Sequence, residues 1–231
     1  MVIIEKGGVV LVVAAHPDDE VLGCGGTVAR LSREGGRIYT LILGEGVTSR
    51  DKRRNPELRK KDIASLKDQA KRAKEILGIK ETFLYDFPDN RFDTVAILDI
   101  IKVIEDIKER VRPDVILTHY AEDLNIDHRI VYNAVITAAR PLKDESVKVI
   151  YSFETPSSTE WSFPIRFSPD LFIDISKTID IKLKAAAAYR DEMRRYPHPR
   201  SLEGLRVSAK YWGMKAGVGY AEALKTVRAV I

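Results

Sequence analysis

GVVLVVAAHPDDEVLGCGGT (residues 8–27) is the stretch that decides the fold. Its first part, GVVLVVAA (8–15), is a short apolar run rich in β-branched residues, bounded by glycine and by His-Pro. That composition belongs to a strand buried on both faces. VLGCGGTVARLSREGG (21–36) then reads as a helix that ends in glycines. A buried strand that passes through a polar turn into a helix is the opening of a βαβ unit.

The same unit recurs down the chain. RIYTLILGEG (37–46) is a second strand, followed by a basic loop and a helix around 57–78. ETFLYDF (81–87) is a third strand, and DTVAILDIIKVIEDIKERV (93–111) an amphipathic helix. PDVILTHY (113–120) is a fourth strand, with a helix from about 127 to 140. KVIYSFE (148–154) and LFIDIS (171–176) read as later strands, and IDIKLKAAAAYRDEMRRY (179–196) as a long helix. Alternation of this kind predicts an α/β fold with an open, doubly wound, mostly parallel sheet. The 231 residues suit one domain spanning 1–231, without linkers or internal repeats, whose last third closes over the site.

In such sheets ligands bind past the carboxyl ends of the strands. The polar residues there are His16–Glu20, Glu45–Arg50, Asp86–Arg91 and His119–His128. The first patch packs one imidazole and three carboxylates into a single turn, which is costly to bury unless they bind a cation or one another. His16 and Asp19, three residues apart, can point at one ion, and Asp18 between them is free for another task. A helix N-terminus that favours acids explains Asp18, Asp19 and Glu20 equally well, but not His16 or Pro17. In the second patch, THYAEDLNIDHRIV (118–131), His128 completes a His, Asp, His set suited to zinc with a position left open. Asp123 and Asp127 are placed to orient the ligand imidazoles. His119, at the end of its strand, reads as the filler of a polar gap.

Composition excludes other classes. Hydrophobic residues make up 45% and charged residues 31%, and no run approaches the ~20 apolar residues that a bilayer needs. Glu5 and Lys6 precede the first apolar stretch, which is unlike a signal peptide, so a cytoplasmic location is expected. Cys24 is the only cysteine and reads as a small buried residue; it rules out an intramolecular disulfide or a thiolate cage. One Gln and four Asn among abundant charges suggest a heat-adapted source. The net charge of +4 is concentrated between Arg50 and Lys74, where Ile63, Leu66, Ala70, Ala73 and Leu77 recur at helical spacing. A solvated helix face accounts for that run better than a nucleic-acid or membrane surface.

AHPDDEVLGCGGT and DLNIDHR together resemble the LmbE-like, PIG-L family of N-acetylglucosaminyl deacetylases. The likeness continues through GEGVTSR (44–50), AKEILGI (73–79), PDNRFD (88–93), PHPRS (197–201) and YAEA (220–223). The resemblance implies a Rossmann-like fold and one zinc or other divalent ion per chain on His16, Asp19 and His128. It also implies Asp18 as general base, an N-acetylglucosamine-like substrate, and a homo-oligomer. The family often has histidine three residues before the second metal histidine; this chain has Asn125, which moves attention for the oxyanion contact to His198 of PHPRS. Arg50, Asp89 and Arg91, past strands two and three, are candidates to grip sugar hydroxyls or a phosphate. Three other readings compete. A two-His, one-carboxylate iron oxygenase uses the same ligand set but leaves Asp18 idle. A nucleotide module would use Gly23, Gly25 and Gly26, but GCGG lacks the dinucleotide spacing, so those glycines read as places of close helix packing. A catalytically silent sugar-binding protein has no need of an intact AHPDDE.

Overall fold

The computed structural model describes residues 7–230; Glu5 and Lys6 lie outside them. Seven strands form one sheet: β1 (Val9–Ala14), β2 (Arg37–Gly44), β3 (Glu81–Phe87), β4 (Val115–His119), β5 (Val149–Phe153), β6 (Leu171–Asp174) and β7 (Ala221–Ala229). Their order is β3-β2-β1-β4-β5-β7-β6. The first five run parallel, and β7 is antiparallel to both β5 and β6. The expected mostly parallel, doubly wound α/β sheet is therefore present, with its change of direction between β1 and β4.

β1 shows why the run at 8–15 folds as it does. Val10, Val12 and Ala14 face one apolar cluster, and Val9, Leu11 and Val13 face another. Helices α1 (Asp19–Arg33), α2 (Lys60–Leu77) and α5 (Ile179–Ala188) cover the first face, while α3 (Ile97–Val111) and α4 (Ile126–Ala138) cover the second. Burial on both sides demands the unbroken apolar run that the sequence shows. α2 buries Leu66, Ala70, Ala73 and Leu77 and leaves its basic residues outward, as its spacing predicts. Among the described residues no helix is long and apolar enough to cross a membrane.

α1 is kinked at Cys24, whose φ of −141° is not helical. A carboxylate from the far end of the chain restarts it: Glu222 of β7 accepts from the backbone N–H groups of Gly26 (2.9 Å) and Thr27 (2.6 Å). Lys182 of α5 donates to Glu222 (2.6 Å) and to the Leu22 carbonyl (2.8 Å), so the buried charge is paired. Gly23 and Gly26 permit close packing here. A Cβ on Gly23 would lie 2.1 Å from the Phe153 ring, and one on Gly26 2.7 Å from Ile175. That matches the packing role expected for the GCGG glycines.

The C-terminal third differs from expectation in two ways. The helix expected over 179–196 stops at Ala188. Tyr189 turns inward to donate its hydroxyl to Glu20 (2.6 Å), and the chain from there to Ser201 runs irregularly toward the strand ends. Pro197 also disfavours helix at the residue before it. In addition, α6 (Leu202–Ala216) and β7 complete the fold, neither foreseen from sequence. α6 is capped by the Ser201 hydroxyl accepting from the Gly204 N–H.

Candidate active site

β1 and β4 lie side by side at the change of direction, and the turns that leave them carry the metal candidates. Asp18, which precedes α1, sits at φ 109°, a left-handed conformation unusual for a side chain larger than glycine's. This backbone turns His16 and Asp19 to one side. His128 arrives from the first turns of α4, which Asn125 caps by accepting from the Asp127 N–H. One ligand atom each from His16, Asp19 and His128 lies within 4.8 Å of the others.

Each imidazole spends one nitrogen on Asp19 and the other on a supporting carboxylate. His16 Nδ1 is 3.4 Å from Asp19 Oδ2, and its Nε2 is 2.9 Å from Asp127 Oδ2. His128 Nε2 is 3.3 Å from Asp19 Oδ2, and its Nδ1 is 3.0 Å from Asp123 Oδ1, near enough to pair though not aligned as a hydrogen bond. Asp127 is fixed by the Phe92 N–H (3.0 Å). Asp123 is fixed by the hydroxyls of Ser158 and Thr159. Carboxylates behind ligand histidines fix ring orientation and raise basicity. A second triplet, His16, Asp89 and Asp127, meets the same spacing and shares His16 with the first.

The electrostatics favour a cation. Burial opposes charge on Asp19, yet His128, His119 and His16 together outweigh it and hold the carboxyl well below its usual range. Burial likewise opposes charge on His128, and Asp19 and Asp123 override it, raising its pKa to about 9. His16 is held well above its ordinary value in the same manner, with Asp127 and Asp19 outweighing burial. Asp19 Oδ1 is buried and has no hydrogen-bond partner. A buried carboxylate that faces two imidazoles through Oδ2 and leaves Oδ1 orphaned, with further carboxylates nearby, fits a divalent ion with N and O ligands.

Asp18 behaves differently from its neighbour. It is 2% exposed, and burial pushes its pKa well above the carboxylate range, with Arg200 partly offsetting that effect. Arg200 Nη1 lies 3.2 Å from Asp18 Oδ2. Arg200 is held in turn by Ser157, which accepts from its Nε (2.9 Å), and by Glu192 (3.6 Å).

Several candidates sit elsewhere than a sequence reader would place them. Asp89 is 3% exposed, is held by Ser49 (3.0 Å from its N–H) and lies 3.4 Å from His16 Nε2, inside the cluster rather than on a loop surface. Arg50 pairs with the buried Glu192. Arg91 makes no side-chain hydrogen bond or ion pair among the described residues. Asn125 donates its Nδ2 to Asn90 (2.8 Å), so both ends of its amide are engaged. His198 accepts from the Arg200 N–H at Nδ1 (3.1 Å) and packs edge-on to Trp161, with ring centroids 5.6 Å apart. His119 is more than a gap filler. It is fully buried, stacks on His128 and accepts from the Ala15 N–H at Nε2 (2.9 Å), which leaves its proton on Nδ1 facing Thr155 (3.1 Å). Sequence reasoning missed Arg200, Glu192 and Ser157 altogether. The only signal was that PHPRS contains an arginine.

Comparison with known proteins identifies the family. Residues 11–139 match the profile of a family described as PIG-L, GlcNAc-PI de-N-acetylase. A Bacillus cereus protein called a probable N-acetyl-alpha-D-glucosaminyl L-malate deacetylase 2 is 30% identical over 185 residues, 79% of this chain and 83% of the relative. The diacetylchitobiose deacetylase of Thermococcus kodakarensis is 27% identical over 226 residues, 94% of this chain and 82% of that one. Among solved structures, the conserved protein TT1542 from Thermus thermophilus superposes with a TM-score of 0.76 at 26% identity, covering 96% of each chain. The 4-carboxy-2-hydroxymuconate hydratase GalB of Pseudomonas putida superposes with a TM-score of 0.75 at 23% identity, over 97% of this chain and 98% of its own; that likeness is one of fold alone.

Proposed function

The chain belongs to the PIG-L family, and on that premise we propose that it is a zinc-dependent hydrolase that removes the N-acetyl group from an N-acetylglucosamine-like amino sugar or its conjugate. As a relative of named deacetylases it is an amide hydrolase acting on a carbon–nitrogen bond outside peptides. We read residues 1–231 as one domain of that family. A heat-adapted source and a homo-oligomer belong to the same reading, resting on composition and on the resemblance.

The observation that carries the proposal is the convergence of His16, Asp19 and His128, with Asp19 Oδ1 left without a hydrogen-bond partner and Asp18 next in the chain. His16, Asp19 and His128 would hold the ion, and Asp123 and Asp127 would orient the two imidazoles. When bound, the ion supplies Lewis acidity, making water nucleophilic near neutral pH and polarising the acyl carbonyl. Asp18, raised by burial, accepts the proton of the attacking water as the new carbon–oxygen bond forms. It returns that proton to the amine nitrogen as the carbon–nitrogen bond breaks, leaving acetate and a free amino sugar. Asp89 on the wall and Arg50 and Arg91 at the rim are the residues proposed to hold sugar hydroxyls. Asn125 and His198, the two candidates for an oxyanion contact, are engaged by Asn90 and by the Arg200 backbone, which suits wall-building roles.

Acetate release from a panel of N-acetylglucosamine compounds, with elemental analysis of the same protein, tests the reading. Metal-dependent release supports it. A protein that binds metal stoichiometrically and releases no acetate from any member would overturn the substrate class.

A further inference from the structure

The geometry points to Arg200 as the cation that contacts the acyl oxygen during hydrolysis, an inference that rests on the deacetylase reading above. Loss of the amide's planarity places negative charge on that oxygen, and a fixed donor aimed at it stabilises the transition state more than the substrate. His16 and His128 have both nitrogens turned to carboxylates. His119 is closed off by Ala15 and Thr155. The Asn125 amide is spent on Asn90, and His198 Nδ1 is spent on the Arg200 backbone. Arg50 is paired with Glu192.

Arg200 differs from these in facing Asp18 directly. Its Nε donates to Ser157 and its Nη1 faces Asp18 and Glu192, while Nη2 has no partner among the described residues. The guanidinium is thus held on one edge and open on the other, and 25% of the side chain remains exposed. Its position also couples two charges. In the free protein Arg200 pairs with Asp18. When the proton passes from water to Asp18, that carboxylate loses its charge as the carbonyl electron pair moves onto the acyl oxygen. The negative charge shifts from one neighbour of the guanidinium to another, and Arg200 serves both without deprotonating. When the carbon–nitrogen bond breaks, the amine nitrogen takes the proton from Asp18, the carbonyl reforms, and the original ion pair is restored.

The test uses full-length protein with Arg200→Ala, Arg200→Lys and Arg200→Gln, assayed on one acetylated sugar that the unmodified protein hydrolyses. Arg200→Ala should lower kcat by ~10²–10³ with KM changed only a few-fold, the signature of a contact made in the transition state. Metal content and thermal midpoint should stay near those of the parent. Methylguanidinium added to Arg200→Ala should recover at least about tenfold of the lost rate and do nothing for Asp18→Asn, because a returned donor cannot replace a missing base. Arg200→Lys should fall between Ala and the parent, since it keeps the charge without the fork. Should Ala fail to fold, Gln carries the same rate expectation with side-chain volume preserved. A folded Ala or Gln variant with kcat within about threefold of the parent, a loss confined to KM, or a slow Ala variant that guanidinium leaves unchanged each overturns the inference. Absence of acetate release by the unmodified protein overturns the underlying reading instead, a result visible before any variant is compared.

Discussion

The rings of His119 and His128 lie stacked, 3.9 Å between centroids and 13° from parallel. Their pKa values are shifted in opposite directions. Burial and the charge of His128 lower His119 to about 3, so it is neutral, while carboxylates raise His128 to about 9. His119 therefore acts through its lone pair, pinning the Ala15 N–H at the point where β1 becomes the His16 turn.

Replacing His119 by Phe keeps a flat ring against His128 but leaves a buried N–H at Ala15 without an acceptor. The expected cost is about 1–3 kcal/mol in urea denaturation. Metal affinity, measured by competition with a chromogenic chelator, should fall by roughly 10–100-fold, as for other supporting residues. An unchanged affinity would mean that the His16 turn keeps its shape without this anchor.

His16→Ala with His128→Ala removes two of the three proposed ligands. The double variant should retain no stoichiometric metal after chelation and reconstitution, as read by elemental analysis. If one ion per chain survives, the ligand assignment is wrong, and the triplet of His16, Asp89 and Asp127 would not rescue it because it shares His16.

Asp18→Asn should bind metal as the parent does and lose most of its turnover, because the amide matches the carboxylate in size but cannot take the proton from water. Its kcat should fall by ~10²–10⁴. Turnover within a few-fold of the parent would assign the base elsewhere.

Glu154, just past β5, has its carboxyl against the Trp212 indole N–H and lines a cavity of about 460 Å³, and burial raises its pKa to about 7 from 4.5. A carboxyl raised on folding is protonated in the native chain after the unfolded chain has lost its proton, so stability falls as pH rises from 4.5 to 7. Glu154→Gln removes that dependence. Relative to the parent, the variant should gain on the order of 2–3 kcal/mol between those limits and nothing below them. Parallel stability curves for the two proteins across that window would show that the carboxyl is not destabilised by folding.

The parallel core was legible in the sequence because its strands are buried on both faces and leave an unbroken apolar record, as Val9–Ala14 shows. The convergence of His16, Asp19 and His128, the proposed ligands, was legible because they sit just past strand ends, where local spacing and spatial position coincide. β7 was not, for a physical reason: Ala221–Leu224 are buried, but Lys225–Arg228 are only partly so, leaving an apolar run too short to read as a strand. The helical signal of α6 is interrupted in sequence by Gly204 and Gly213, the latter accommodating the close approach of the Val218 carbonyl. Arg200 could not be found by spacing, because its contact with Asp18 joins residues 182 positions apart through an irregular segment.

The insertion of β7 between β5 and β6 bears on how the protein is made. A ribosome delivers β6 before the strand that must separate it from β5, so β6 has no place in the sheet until residues 221–229 have emerged. Until then β5 presents an open edge to the surroundings, the kind of surface that invites pairing with other chains. Glu222 arrives on the same late strand, so the helix that starts at the His16 turn is restarted after its kink only in the last step. A nascent chain stalled before residue 221 should accordingly hold a formed β1–β5 core with the metal turn still unsettled.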